Sequence, residues 1–338
     1  MTVMGEGSAG GRDLRLDFFR GIALFSIFID HVPDLWLGTY TIQFTGFYDA
    51  ADVFILISGY TAGMVYGRIL EDRGALMATI RVYHRVWQLY VAHVFLFMVF
   101  MALIGQMSGQ WNNPLYVEEL RAADFLREPG IAVAMALALL FHPAYMDILP
   151  LYITLLAVLP LFMVLARWHW PLALALSFGL WLAVQFNDAI NLVSYPGPHK
   201  WFFNPFAWQV LFLFAAFLGW SQIKRRNGWL RARPLLLAAI AMAVFGFTIR
   251  LNWTFNLFTD PMPFLKETFF LPALSKTDMS VIRLLNVLAT ALVVAALIPR
   301  TARFLSSRAA WPVMVCGRHS LHIFCLGILL SVLGQWML

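Results

Sequence analysis

The chain has 338 residues, of which 61% are hydrophobic and only 12% charged, with a mean hydropathy of +0.74. Soluble domains carry about 25% charged residues, so the composition excludes a soluble domain and describes a polytopic, all-α membrane protein. The net charge of +6 comes from cations clustered in short loops. That pattern is a topology signal and a site for an anionic ligand, not a nucleic-acid surface.

In chain order, residues 1–13 read as a disordered cytoplasmic tail and 14–338 as a single transmembrane domain. Apolar runs long enough to span place helices at 14–37, 48–69, 79–106, 145–167, 171–187, 203–222, 234–253, 280–298 and 311–337. The run Ile131 to Phe141 is only 11 residues long and reads as a tenth span, a re-entrant segment or a surface helix. The segments rich in Lys and Arg are Arg68–Arg85, Lys224–Arg233 and Arg300–Arg308. Putting all three in the cytoplasm with the N-terminus requires that 131–141 not cross.

The stretch Arg12 to Trp36 stands out: it is apolar enough to enter a bilayer, yet holds Asp17, Arg20, Asp30, His31 and Asp34. A charge at a helix centre costs roughly 2.5–3.5 kcal/mol on insertion scales. Arg20 and His31 are 11 positions apart, about three turns and roughly 16 Å, so they share a helix face. Asp17 and Asp34 extend that face one turn at either end. A polar stripe running from one membrane surface inward reads as a reaction path in preference to a merely buried, ion-paired stripe.

On the second helix Gly59, Gly63 and Gly67 repeat every four residues, which allows close approach by a neighbouring helix. Asp49 and Asp52 stand one turn apart at its start, as caps or as interfacial charges that need partners. Arg81 and Arg85 are one turn apart with His84 beside them, either a phosphate grip or a positive-inside flank. Downstream, Lys276 and Asp278 precede a helix carrying Arg283 and Asn286, which need partners or an aqueous cavity. Arg318, His319, Ser320 and His322 lie within the expected last helix. Cys316 and Cys325 fall on opposite faces of that helix and are not expected to pair. The remaining histidines are scattered singly, so no metal site is expected, and no internal repeat marks a transporter of inverted halves.

Two motifs carry a resemblance. LDFFRGIALFSIFIDH (Leu16, Asp17, Arg20, Gly21, Ile22, Ala23, His31) followed by DVFILISGY (Asp52, Phe54, Leu56, Ser58, Gly59, Tyr60) resembles the acyltransferase-3 superfamily of integral membrane acyltransferases. Within it, FNPFAWQVLFLFAAFLGW, KTD with Arg283 and Asn286, and GRHSLHIFCLGILLS resemble the OpgC family, succinyltransferases of osmoregulated periplasmic glucans. The chain departs from the superfamily at Arg81 and Arg85, four apart where a pair three apart is usual, and at Gln88, near the place of a usual proline.

The resemblance implies a bundle of about ten transmembrane helices in a bacterial inner membrane. It implies transfer of a succinyl group from cytoplasmic succinyl-CoA, a substrate, with no tightly bound cofactor, to hydroxyls of a β-glucan outside. The alternatives are an O-acetyltransferase of another envelope glycan, or a proton- or anion-coupled transporter using the same stripe. Membrane lipid is an expected partner, nucleic acid is not, and a homodimer is left open.

An alcohol needs a base poised near neutrality, and His31, with an ordinary pKa of about 6.5, suits that task. Asp30, Asp34 or Asp52 could orient it, Asp30 and Asp52 heading the candidates. Arg15, Arg20, Arg81 and Arg85 are candidates for the phosphates of CoA. Ser58 or amides near Gly59 could stabilise the oxyanion, and Arg283 or Arg318 could hold the succinyl carboxylate. Trp201, Asn204, Lys276 and Asp278 are candidates for the glycan. Trp111, Trp201 and Trp253 are read equally as glucose platforms or interfacial anchors. Direct transfer is favoured over an acyl-His31 intermediate.

Overall fold

The structure is a computed structural model that describes residues 13–32, 35–111, 120–197, 199–259 and 274–337, with the side chains of 107–111 and 335–337 outside the description. Residues 1–12 of the expected tail, Asp34 and the side chain of Trp111 lie outside the described residues, while Asp13, placed in that tail, caps α1. Its helices are α1 (Leu14–Asp30), α2 (Ala50–Trp111), α3 (Ala123–Arg127), α4 (Pro129–Leu137), α5 (Ile148–Phe186), α6 (Pro205–Ile223), α7 (Arg233–Phe255), α8 (Val281–Leu297), α9 (Trp311–Arg318) and α10 (Ser320–Met337). Among the described residues four helices are long and apolar enough to cross a membrane, or five if the bent pair α9–α10 is one span. Length and composition therefore do not establish ten spans.

Two of these helices are too long to be single spans. A straight helix of 62 residues would run about 93 Å, three bilayer cores. Inside α2, Gly74 has φ +83°, a left-handed conformation that glycine adopts without a Cβ penalty, and the helical path breaks there. Inside α5 the break falls at His169 (φ −148°). Pro171 disfavours helix at Trp170, and His169 Nδ1 accepts from the Leu172 N–H at 3.2 Å, restarting the helix. Both breaks fall where the sequence placed loops, between 69 and 79 and between 167 and 171.

Two elements, α1 and the last helix, differ from expectation, while the segment around 131–141 forms a short helix, in keeping with the arrangement that puts all three basic segments on one side. α1 stops at Asp30 rather than 37, since Pro33 in the sequence disfavours helix at the residue before it. α4 has nine residues, about 14 Å, too short to cross as a helix. The last helix is broken at His319, with α9 and α10 bent by 101°. Cys316 and Cys325 therefore sit on two helices, and both are free.

The centre of the bundle is α1, α2, α5, α6 and α10. Its tightest seam joins α2 to α6. A Cβ on Gly63 would collide with the Ala216 carbonyl, and Gly59 and Gly67 face Phe212 and Trp220 in the same way. The glycine repeat is thus a close-packing stripe. The helix starts are built as the sequence implies. Asn204 caps α6 by accepting from the Phe206 N–H (3.1 Å), with Pro205 at the first helical position. α7 is peripheral: 17% of its apolar window is buried, against 67% for α6.

α1 and the first half of α2 run antiparallel, with Arg20 against Thr61 and the far end of α1 close to the start of α2. The basic segments meet at one end, where Arg300 reaches Asp13 (2.9 Å) and Lys224 reaches Glu71 (2.9 Å). His31, Asp30, Asp49 and Asp52 lie at the opposite end, called here the far end.

Candidate active site

At the basic end a cavity of about 470 Å³ is lined by Arg68, Arg73, Arg81, His84, Arg85 and Gln88 among others. None of Arg68, Arg73, Arg81 and Arg85 forms an ion pair among the described residues. Gln88 connects two of these side chains: Arg85 Nη1 donates to its Oε1 (3.1 Å), and its Nε2 lies 3.1 Å from His84 Nε2. One turn of helix therefore fixes Arg85, His84 and Gln88 as a unit.

Val65, Tyr66 and Arg85 also line a second, deeper cavity of about 160 Å³. Its polar wall holds Arg20, Ser58, Thr61 and Ser320. Arg20 Nη2 donates to Thr61 Oγ1 at 2.8 Å, so its guanidinium is held at the wall. At the end nearest Asp52 stand Phe54, Tyr152 and Phe324, with ring centroids 6.2 Å and 6.4 Å from Phe54. The first and second motifs of the sequence, on α1 and α2, thus contribute Arg20, Phe54 and Ser58 to one cavity, which shares Val65, Tyr66 and Arg85 with the cavity at the basic end.

Arg15 is placed differently. Its guanidinium bonds Asp13 (2.8 Å) and the carbonyls of Ile298 (2.7 Å) and Ala295 (3.1 Å) at the end of α8. A cation there satisfies exposed carbonyls and the helix dipole. Asp13 caps α1 by accepting from the Arg15 N–H (3.2 Å). Burial opposes its ionisation, but the bonds and charge of Arg15, with the charge of Arg300, outweigh burial and hold its carboxyl below the usual range. Arg15 is a structural clasp in this structure and lines neither cavity.

The far end is a network of paired charges. Asp49 and Asp52 form a reciprocal cap on α2: Asp49 accepts from the Ala51 N–H (2.9 Å) and Asp52 from the Asp49 N–H (2.9 Å). Asp52, fully buried, also takes both arms of Arg283 in a fork, Nε donating at 2.9 Å. Asp49 bonds Arg283 (3.0 Å) and Lys276 (2.6 Å) with one oxygen. Asn286, one turn along α8, accepts from the Phe47 N–H and donates to the Met242 carbonyl, each at 2.9 Å. The partners that Arg283 and Asn286 required are therefore supplied by the protein.

His31 follows the last residue of α1 and is partly exposed. Its Nδ1 is buried with no hydrogen-bond partner among the described residues. No carboxylate orients it there. Asp30 accepts from Thr41 Oγ1 (2.6 Å) and Gln43 Nε2 (3.3 Å), and Asp52 is taken by Arg283. The ring instead packs on Tyr145, centroids 4.4 Å apart, and lies within electrostatic reach of Lys276 and Asp49.

The other candidates are mostly held by structure. Arg318 lies 3.7 Å from Asp17 on α1. Asn204, besides capping α6, donates to Asp278 Oδ1 (3.0 Å) and the Ile190 carbonyl (2.7 Å). Trp201 is 3% exposed, its ring edge-on to His142 at 4.6 Å, which is not a platform open to sugar. Trp253 packs on Phe47. Lys276, beside the rings of Phe202 and Phe203, and Asp278 are partly exposed, unlike Trp201 and Asn204. No group of three or more metal-ligating side chains occurs among the described residues.

Sequence reasoning missed Tyr145, which lies in a loop without periodicity. It gave no place to Thr61 or to the Gln88 link, and it left Asp49 between a cap and an interfacial charge. The chemistry of Asp49 is legible in the spacing of Asp49 and Asp52; the others have no local signal.

The fold and site define an all-helical membrane protein with an arginine-lined cavity at its basic end; His31, at the far end, lines neither this cavity nor the second one. A family model described as OpgC protein matches residues 12–338, and the chain belongs to that family. Membership suggests a glucan-modifying, acyltransferase-type enzyme. No curated protein and no solved structure matches the chain.

Proposed function

We propose that this chain is an O-succinyltransferase of a bacterial inner membrane that moves succinyl groups from cytoplasmic succinyl-CoA to hydroxyls of periplasmic glucans. The observation that carries the reading is the two-part cavity: unpaired arginines at its mouth, and Arg20, Ser58, Thr61 and Ser320 deeper in. Arg81 and Arg85 would hold the phosphates of the donor bidentately. The pantetheine arm would lie along the shared wall of Val65, Tyr66 and Arg85, carrying the thioester inward without the coenzyme crossing.

The basic end is then cytoplasmic by the positive-inside bias. With α1, both halves of α2 and of α5, α6, α7, α8 and the pair α9–α10 each crossing once, all three basic segments share that face, and α4 lies aside. His31 at the far end takes the proton of a sugar hydroxyl. The hydroxyl oxygen attacks the thioester carbonyl, and the tetrahedral intermediate collapses with loss of the CoA thiolate, which receives the proton from the imidazolium. Lys276, within electrostatic reach of His31 and itself paired with Asp49, would exchange that partner for the succinyl carboxylate.

The test is to incubate purified protein in detergent with succinyl-CoA or acetyl-CoA and a linear or cyclic β-glucan, and weigh the product. The reading predicts succinyl mass added to glucan, lost in His31→Ala by about 10²–10⁴-fold in rate. Acetyl transfer in preference would make it an acetyltransferase, and indifference to both donors would favour a transporter.

A further inference from the structure

A general base works only if its ring is held facing the hydroxyl, and His31 lacks the usual means of holding. Its buried Nδ1 finds no hydrogen-bond partner among the described residues, and the nearby carboxylates Asp30 and Asp52 bond elsewhere. What touches the imidazole is Tyr145, with ring centroids 4.4 Å apart and planes tilted by 46°. We propose that Tyr145 is the positioning residue of this site, its ring fixing the imidazole of His31 in the orientation that proton transfer requires. The inference rests on the reading of His31 as general base.

The backbone at Tyr145 supports the assignment. Its φ is +70°, a left-handed conformation that is uncommon for any residue with a side chain and unusual for a bulky aromatic one. Such a conformation is costly and persists only where its surroundings over-determine it. Here they do. Ala144 donates its N–H to the Leu120 carbonyl (3.0 Å), Met146 turns back to the Pro143 carbonyl (3.2 Å), and the Met146 side chain is fully buried. The loop is pinned on both sides of Tyr145, and the ring it presents meets the end of α1. His31 lies just beyond the last helical residue of α1, so the helix alone does not restrain its ring.

Tyr145→Gly is the discriminating variant, because glycine adopts a positive φ without strain and the loop keeps its path while the ring is lost. Transfer kinetics should show kcat lowered about 10- to 100-fold, the scale of a misoriented catalytic group, with KM for succinyl-CoA and for glucan within about twofold of wild type. Tyr145→Phe, which keeps the packing, should restore kcat. A second readout needs no turnover: diethyl pyrocarbonate labelling of His31, followed by peptide mass spectrometry, should be faster in Tyr145→Gly and normal in Tyr145→Phe. Wild-type kcat and labelling in Tyr145→Gly would overturn the proposal, as would a Tyr145→Phe variant as impaired as Tyr145→Gly. If His31→Ala transfers as well as wild type, the proposed function fails instead, while the labelling rates still report whether Tyr145 holds the ring.

Discussion

At the basic end Arg81 and Arg85 face open volume with no carboxylate within ion-pair distance among the described residues, whereas at the far end Arg283 and Lys276 crowd onto Asp49 and Asp52. The residue types are the same and the consequences opposite. A buried guanidinium forked by a carboxylate is spent on holding two helices together, here α2 and α8. An arginine left facing a cavity keeps its charge for a ligand. Arg15 sharpens the contrast, since it stands at the basic end with Arg81 and Arg85 yet is consumed by Asp13 and two carbonyls.

The largest effect should come from breaking the far-end network. Asp52→Ala leaves Arg283 buried and half-paired, which costs about 3–5 kcal/mol in comparable sites, so detergent-solubilised protein should lose folded yield and thermal midpoint sharply. The double variant Asp52→Ala with Arg283→Leu should recover much of the loss. If the single variant melts like wild type, the network is not structural.

Next in size is a comparison within the basic end. Arg15→Ala removes bonds to Asp13 and to the end of α8 and should lower the thermal midpoint, by about 1–3 kcal/mol in stability. Arg85→Ala, whose protein bond is a single exposed one to Gln88, should leave the midpoint within the error of the scan. Equal midpoints for the two variants would erase the distinction drawn between them.

The smallest effect concerns pH. Burial pushes the Asp147 carboxyl, just ahead of α5, up to about 6 against the opposing charges of Arg121 and Lys276. Its contribution to stability is therefore whole below its ordinary value of 3.8 and is lost as pH rises through about 6. His142, 3.7 Å away, is pushed down to about 4 by burial, so its contribution is present above 6.5 and lost as pH falls through about 4. Asp147→Asn cannot ionise, so its thermal midpoint should gain on wild type between pH 4 and pH 6.5. A constant gap across that range would contradict the assignment.

Much of the fold was legible because helices announce themselves by apolar length. The loops at Gly74 and His169 fell where turn residues and proline interrupt the runs. The overrun of α1 past Asp30 ignored Pro33, a signal that was present. The 101° bend at His319 had none, apart from the cluster of polar residues around it. Of the residues that line the two cavities, Arg20, Arg81 and Arg85 were singled out by helical spacing, and Ser58 by the second motif. The pairing of Asp52 with Arg283 spans 231 positions, and nothing local encodes it. For the same reason nothing near His31 in the sequence points to the aromatic ring beside it, that of Tyr145 in a distant loop.

The central claim is that unpaired arginines at the basic end receive the donor and paired ones do not. Calorimetric titration of coenzyme A into wild type, the Arg81→Ala/Arg85→Ala double variant and Arg15→Ala tests it most directly. The account predicts affinity about tenfold weaker for each cavity arginine removed, and wild-type affinity in Arg15→Ala. Wild-type affinity in the double variant, or an equal loss in Arg15→Ala, would contradict it.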